Sequence, residues 1–278
     1  MGIAGLHDLT KPIQNSVHLS EFEGQTVGID ANGWLHKAVF GFDFDPNMDA
    51  FVNALVDYCL RQIMLLLHFG IKPYLVFDGA PLPMKQAAHE ERKARREKAF
   101  KEAQKLIKQG NRKAAVDHLK KSLEITLDVV QQVAKILTDK GFRCLVAPFE
   151  ADAQLTFLMA MKKISAVITE DSDLLVYGCD TIIFKLNNQT GQGVQVKSRD
   201  LVKIPGFQGW THERFRHMCI LSGWVYQRLY SFIVSAVWNP ELGTALHKID
   251  LQQYRHSLFF TVVPIWGRFH AVSGQAEF

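Results

Sequence analysis

The sequence predicts an α/β protein with a mostly parallel central sheet flanked by helices and a basic helical arch inserted after the second core strand. Three observations carry this expectation. Short apolar runs recur along the chain and each closes on a carboxylate, helical patterns stand between them, and one segment holds a large surplus of Lys and Arg.

The opening, Met1 to Leu6, carries two glycines and leads into a short helical or loop stretch containing Pro12. Gln25-Thr-Val-Gly-Ile-Asp30 reads as the first core strand and runs into the start of a helix at Ala31 to Lys37. A turn is expected from Asp45 to Met48. Ala50 to Phe69 shows apolar residues at helical spacing and stops at Gly70. Lys72-Pro-Tyr-Leu-Val-Phe-Asp78 is the second strand, and strand, helix and strand together make a parallel βαβ unit. After the turn at Gly79 to Pro83, the basic segment forms one helix broken at Gln109-Gly110-Asn111 and a shorter one from Lys113 to Lys121. The pair is expected to make an arch or lid under which a single strand passes. Leu123 to Lys140 is an amphipathic helix closed by Gly141. Cys144 to Ala147 and Ala166 to Thr169 read as buried strands. A turn at Leu174 to Tyr177 leads to a strand at Thr181 to Leu186, which is expected to pair with Gly193 to Lys197 as a hairpin. Thr211 is positioned to cap a helix running to about Ser222.

With 278 residues, 47% of them apolar and 22% charged, the chain suffices for one large core or two modest ones. No apolar run approaches the ~20 residues of a membrane span. The N-terminus shows no signal-peptide pattern, and Leu6 stands where a myristoylation signal has Ser or Thr, so a soluble intracellular protein is expected. Cys59, Cys144, Cys179 and Cys219 are scattered without CxxC pairing and read as core thiols.

The strands point to the chemistry. Cys144 to Ala147 is followed by Glu150-Ala-Asp152, and Ala166 to Thr169 by Asp171-Ser-Asp173. Acids two residues apart lie roughly 200° apart on a helix, so they converge only where the chain turns after a strand. In open parallel sheets that edge is where ligands bind. Asp30 and Asp78 end strands in the same way, so Asp30, Asp78, Glu150, Asp152, Asp171 and Asp173 are expected to ring one crevice. One such Asp is more often a helix cap; six in four repeats of one context are hard to explain as caps. Crowded carboxylates repel, and hard divalent cations relieve that repulsion because Mg²⁺ and Mn²⁺ take oxygen ligands and bridge to phosphate. Two ions about 4 Å apart would clamp an in-line phosphoryl displacement.

The net charge of +4 is unevenly spread: Lys85 to Lys121 holds thirteen Lys and Arg against five Asp and Glu, leaving the remainder of the chain acidic. Such asymmetry suggests a polyanion held over an acidic crevice. Lys85, Arg92 and Arg96, at i, i+7 and i+11, are expected along one helical face and in contact with phosphate.

Several stretches together are diagnostic: Met1-Gly-Ile-x-Gly-Leu6, Val-Gly-Ile-Asp30, Trp34-Leu-His-Lys37, Lys72-Pro-x-Leu-Val-Phe-Asp78-Gly, Ala147-Pro-x-Glu150-Ala-Asp152-Ala, Ile168-Thr-Glu-Asp171-Ser-Asp173-Leu and Met218-Cys-Ile-Leu-Ser-Gly223. Over about residues 1–223 the chain resembles the flap endonuclease superfamily of 5′ structure-specific nucleases, and within it the exonuclease 1 branch most. The resemblance implies a 5′ to 3′ double-stranded DNA exonuclease and 5′ flap endonuclease of mismatch repair and recombination, nuclear, monomeric and dependent on two Mg²⁺ ions, with Mn²⁺ as a substitute. It makes the six acids metal ligands, directly or through water. It assigns Lys85 and Arg92 to the scissile phosphate, Arg95 and Arg96 to the arch, Gly2 to the vicinity of the site, and His36 to the wedge that splits a duplex end. It also implies domains: a nuclease domain at 1–223, made of an N-terminal region (1–99), the arch (about 85–121) and an internal region (about 123–223).

Two departures qualify that picture. The family usually places an aromatic residue at the position of Asn32, where it stacks on an unpaired base; Asn forgoes stacking of ~1 to 3 kcal/mol per base, so weaker end-splitting is expected. After Gly223 the family continues with a further acid and a glycine-rich helix-two-turn-helix that grips duplex DNA, whereas this chain reads Trp224-Val225-Tyr226. Residues 224–278 hold eleven of thirty aromatics and only three acids, and are expected to be a divergent tail. The C-terminal region through which the family meets mismatch-repair proteins is expected to be absent. An alternative is therefore a DNA-end-binding protein that does not cut. A small ribonuclease is disfavoured by the basic insert, and dinucleotide binding by the lack of GxGxxG after the first strand.

Overall fold

The computed structural model describes residues 5–41, 47–82 and 85–221. The turn expected at 45–48 lies largely outside them, and the divergent tail wholly so. The described fold belongs to the unit Met1–Cys219.

Its helices are α1 (Leu6–Leu9), α2 (Ala31–Gly41), α3 (Met48–His68), α4 (Gln86–Lys108), α5 (Arg112–Ser122), α6 (Leu127–Asp139), α7 (Ala151–Ala160), α8 (Asp173–Tyr177) and α9 (His212–Leu221). The strands are β1 (Asn15–His18), β2 (Thr26–Asp30), β3 (Lys72–Phe77), β4 (Arg143–Val146), β5 (Ala166–Ile168), β6 (Thr181–Phe184) and β7 (Gln192–Lys197). They form one sheet in the order β1-β7-β6-β5-β2-β3-β4. From β6 to β4 the pairing is parallel, and β7 and β1 add two antiparallel strands at the far edge. The expected mostly parallel α/β sheet, with a helical pair inserted after the second core strand, is what the chain builds.

The connectivity fixes where a ligand belongs. From β2 the chain moves through β3 to β4 on one side, then returns across the sheet to β5 and β6 on the other. The order therefore reverses beside β2, and the crevice at such a reversal lies beyond the carboxyl ends of the strands. Helices α2, α3 and α6 pack on one face, burying Leu35, Leu55, Ile63, Val133 and Leu137 against Val27, Ile29, Leu75 and Phe77. On the other face α7 closes on β2 so tightly that a Cβ at Gly28 would stand 2.8 Å from a Leu155 methyl and 2.6 Å from Ile164 Cδ1.

Several expectations are corrected. The short helical stretch around Pro12 is present as α1 and a 3-10 turn at Lys11–Ile13, and β1 follows it unforeseen: only Val17 is buried in Asn-Ser-Val-His, and pairing with β7 rather than local pattern makes it extended. β4 is not buried on both faces, because it is the edge strand and its residues are half-buried or exposed. α6 begins at Leu127, not Leu123, because the Thr126 side chain caps it while Leu123 and Ile125 pack against the core beforehand. Lys85 precedes α4, so only Arg92 and Arg96 of the expected face lie on that helix. α3 departs from the expectation that no run suits a membrane: its 21 residues have the length, and an 18-residue stretch of them, with mean hydropathy 1.5, has the composition. Its buried face, including Phe51, Leu55, Cys59, Ile63 and Leu66, makes it a core helix.

Gly79 ties two strand ends together. Its N–H donates to the Phe149 carbonyl at 2.6 Å and the Ala80 N–H to the Pro148 carbonyl at 3.0 Å. A Cβ there would lie 1.8 Å from the Ala147 carbonyl oxygen, so only glycine permits the approach. Gly79→Ala is expected to lower stability by ~1–3 kcal/mol or more, measured by urea unfolding, because the obstacle is backbone rather than a movable side chain.

Candidate metal centre

The strand ends deliver their acids to one crevice. Asp30 closes β2, and its Oδ2 accepts a hydrogen bond from Thr169 Oγ1 at 2.8 Å. The same hydroxyl accepts from the Asp171 N–H at 2.9 Å, so Thr169 links the turn after β5 to the end of β2. Asp78, just past β3, accepts from the Ala151 N–H at 2.7 Å on Oδ1 and from Asn32 Nδ2 at 2.6 Å on Oδ2. Glu150 receives the Lys85 ammonium on Oε1 and Tyr177 Oη at 3.1 Å on Oε2. Asp171 Oδ1 accepts from the Asp173 N–H at 3.0 Å, which closes the turn into α8.

Electrostatics show how near these carboxyls stand. Burial first, then Asp78 and more weakly Asp171, raises Asp30 to about 6. Burial, followed by Asp30, Asp171, Asp78 and Glu150, pushes Asp152 well above the usual carboxylate range. Asp78 is raised by burial and by Glu150, against the hydrogen bonds from Ala151 and Asn32. Asp152 thus sits among four other acids. Asp173 is buried at the start of α8, where it also faces Cys219.

The donor set is all carboxylate oxygen, which suits Mg²⁺ or Mn²⁺ and not a thiolate or imidazole metal. Among the described residues no three His, Cys, Asp or Glu side chains are gathered tightly enough to hold one ion by themselves.

The basic residues divide. Lys85 reaches Glu150 directly. Arg92 and Arg96 of α4 stand near His36 of α2: burial first, then these two guanidiniums, lowers the imidazole's pKa. Arg96 also pairs with Glu124 at 2.5 Å. Arg95 is exposed and turned along its own helix to Glu91 at 2.5 Å, so it is not brought to the acids. Gly2 lies outside the described residues. α4 and α5 pack on each other over buried Ala103 and Ala115, and Lys120 Nζ donates to the Phe40 carbonyl at 3.1 Å, tying the hairpin to α2. Sequence reasoning missed Thr169 and Tyr177 as carboxylate partners, and it read Asn32 only as a lost aromatic. A hydroxyl two residues before Asp171 was the available signal for Thr169.

The pattern described as the XPG N-terminal domain matches residues 1–99, and that of the XPG I-region matches residues 141–224. The chain belongs to the flap endonuclease superfamily. Exodeoxyribonuclease 1 of Schizosaccharomyces pombe is 37% identical over 227 residues, spanning 81% of this chain and 40% of that protein. Exonuclease 1 of Danio rerio is 39% identical over 258 residues, spanning 90% of this chain and 32% of that one. The chain therefore spans well under half the length of these relatives. Among solved structures, the catalytic core of Rad2 in complex with DNA substrate superposes with TM-score 0.61 at 24% identity, covering 81% of this chain and 63% of that one. Flap endonuclease-1 from Methanococcus jannaschii gives 0.55 at 18% identity over 89% of this chain and 81% of its own. The superfamily fold is thereby established.

Raised carboxyl pKa values favour the folded state while the acids are protonated. That contribution is present below the unfolded value near 3.8 and is lost as pH rises through about 6 for Asp30, roughly 3 kcal/mol for that group alone. Cation binding counters the loss. Thermal melts with and without Mg²⁺ should show a larger gain in Tm at pH 7.5 than at pH 5, and equal gains would contradict the reading of these acids as cation ligands.

Proposed function

We propose that this chain is a Mg²⁺-dependent 5′ structure-specific deoxyribonuclease that attacks duplex ends, nicks and 5′ flaps during DNA repair in the nucleus. The observation that carries the proposal is the convergence of Asp30, Asp78, Glu150, Asp152 and Asp171 from four strand ends beside a basic helical hairpin. Exonuclease 1 names among the relatives, and DNA in the Rad2 structure, support the substrate class.

Each group has a role in this reading. Asp30, Asp78, Asp152 and Asp171, with Glu150 and Asp173, hold two divalent ions directly or through water. Those ions, when bound, supply Lewis acidity at the phosphate and an activated water for hydrolysis. Lys85 and Arg92 orient the scissile phosphate; Lys85 already lies on Glu150, so it enters from the side of the proposed ions. Arg96 and His36 line the approach together, and Arg95 turns from Glu91 toward the polyanion when DNA arrives. The nuclease domain is residues 1–223, and residues 224–278 are a tail without the family's duplex-gripping motif.

The deciding experiment follows release of label from a 5′-labelled recessed duplex and from a 5′ flap in Mg²⁺. Asp171→Ala is expected to lower cleavage by about 10³-fold or more, the scale of several kcal/mol of transition-state stabilisation. DNA binding without metal-dependent release by the unaltered chain would favour an end-binding protein that does not cut. Binding should also weaken steeply with salt, and Arg92→Ala should reduce the slope of log K against log salt by about 1, read by fluorescence anisotropy across a salt series.

A further inference from the structure

Asn32 occupies the first turn of α2, two residues after Asp30, and its side chain leaves its own element to meet Asp78 at the end of the neighbouring strand. The contact has two points. Asn32 Nδ2 donates to Asp78 Oδ2 at 2.6 Å, and Asn32 Oδ1 accepts from the Asp78 N–H at 3.2 Å. A side-chain amide is suited to this, since it offers a donor and an acceptor on one planar group. The other carboxylate oxygen, Oδ1, accepts from the Ala151 N–H at 2.7 Å, one residue past Glu150. Each Asp78 oxygen therefore has one fixed donor and keeps lone-pair capacity on the side away from it. The rotation of the carboxylate is set from both ends, by α2 and by the start of α7.

We infer that Asn32 is a positioning residue: it fixes the orientation of Asp78 relative to Asp30 and thereby sets the affinity of the site for a divalent cation. The inference rests on the proposed metal-binding role of these acids. Partners that orient a ligating carboxylate typically govern metal affinity by 10- to 100-fold. Because Asn32 and Asp30 lie on one short segment, the same two residues place one acid directly and a second by hydrogen bond. A residue that merely stabilised the turn would change the melting temperature of the metal-free chain and leave cation affinity alone.

The test is Mn²⁺ binding to the full chain, read as the free-ion paramagnetic resonance signal during titration, for the unaltered chain, Asn32→Ala and Asn32→Leu. Leu keeps the side-chain volume without either hydrogen bond, and circular dichroism establishes that each variant is folded. The expected result is Mn²⁺ affinity at least 10-fold weaker in both variants, with the Mg²⁺ concentration for half-maximal cleavage shifted upward by a similar factor. Folded variants that bind Mn²⁺ as tightly as the unaltered chain would overturn the role of Asn32 and leave the metal reading standing. An unaltered chain that binds no Mn²⁺ would overturn both.

Discussion

The crowding of carboxylates at one edge of the sheet is the constraint to which the rest of this structure answers. Like charges held in a half-buried crevice are costly, and the fold distributes that cost instead of avoiding it. Four of the six acids are secured by donors: Thr169 for Asp30, Asn32 and the Ala151 N–H for Asp78, Lys85 and Tyr177 for Glu150, and the Asp173 N–H for Asp171. Two of these donors, the Ala151 and Asp173 N–H groups, stand at helix starts, where backbone N–H groups lack intrahelical partners. The sheet order makes this possible by bringing the ends of β2, β3, β4 and β5 side by side.

The close approach of Gly79 to residues 147–149 has a matching purpose. Two loops from adjacent strands meet with no side chain between them, which brings Asp78 within reach of the Ala151 N–H. Glu170, the acid before Asp171, pairs with Lys37 at 2.8 Å.

Much of this was legible in the sequence because the signal was repeated. A short apolar run ending in an acid, met four times, is a pattern local physics can read, and it predicted both the parallel sheet and the convergence of acids. β1 was not legible, since Asn15–His18 has no pattern of its own and is extended only because β7 lies beside it. The edge position of β4 was hidden for a related reason: which strand lacks a neighbour is a property of the whole order, not of four residues. The hydrogen bonds of Asn32 were not legible because they reach a residue forty-six positions away, whereas its lack of stacking area could be read from its type alone.

The helical hairpin of α4 and α5 has a consequence for how such a protein changes over time. It departs after β3 and, with α6, returns at β4, and those two strands are already locked in parallel register from Tyr74↔Arg143 to Phe77↔Val146. Both anchors of the excursion are therefore held by the sheet and by Gly79, whatever lies between. Lengthening such a connection costs only a slowly growing loop entropy. The hairpin can be lengthened, shortened or recharged without moving the acids, so the gauge that admits a substrate and the platform that faces its phosphates are free to diverge on separate schedules.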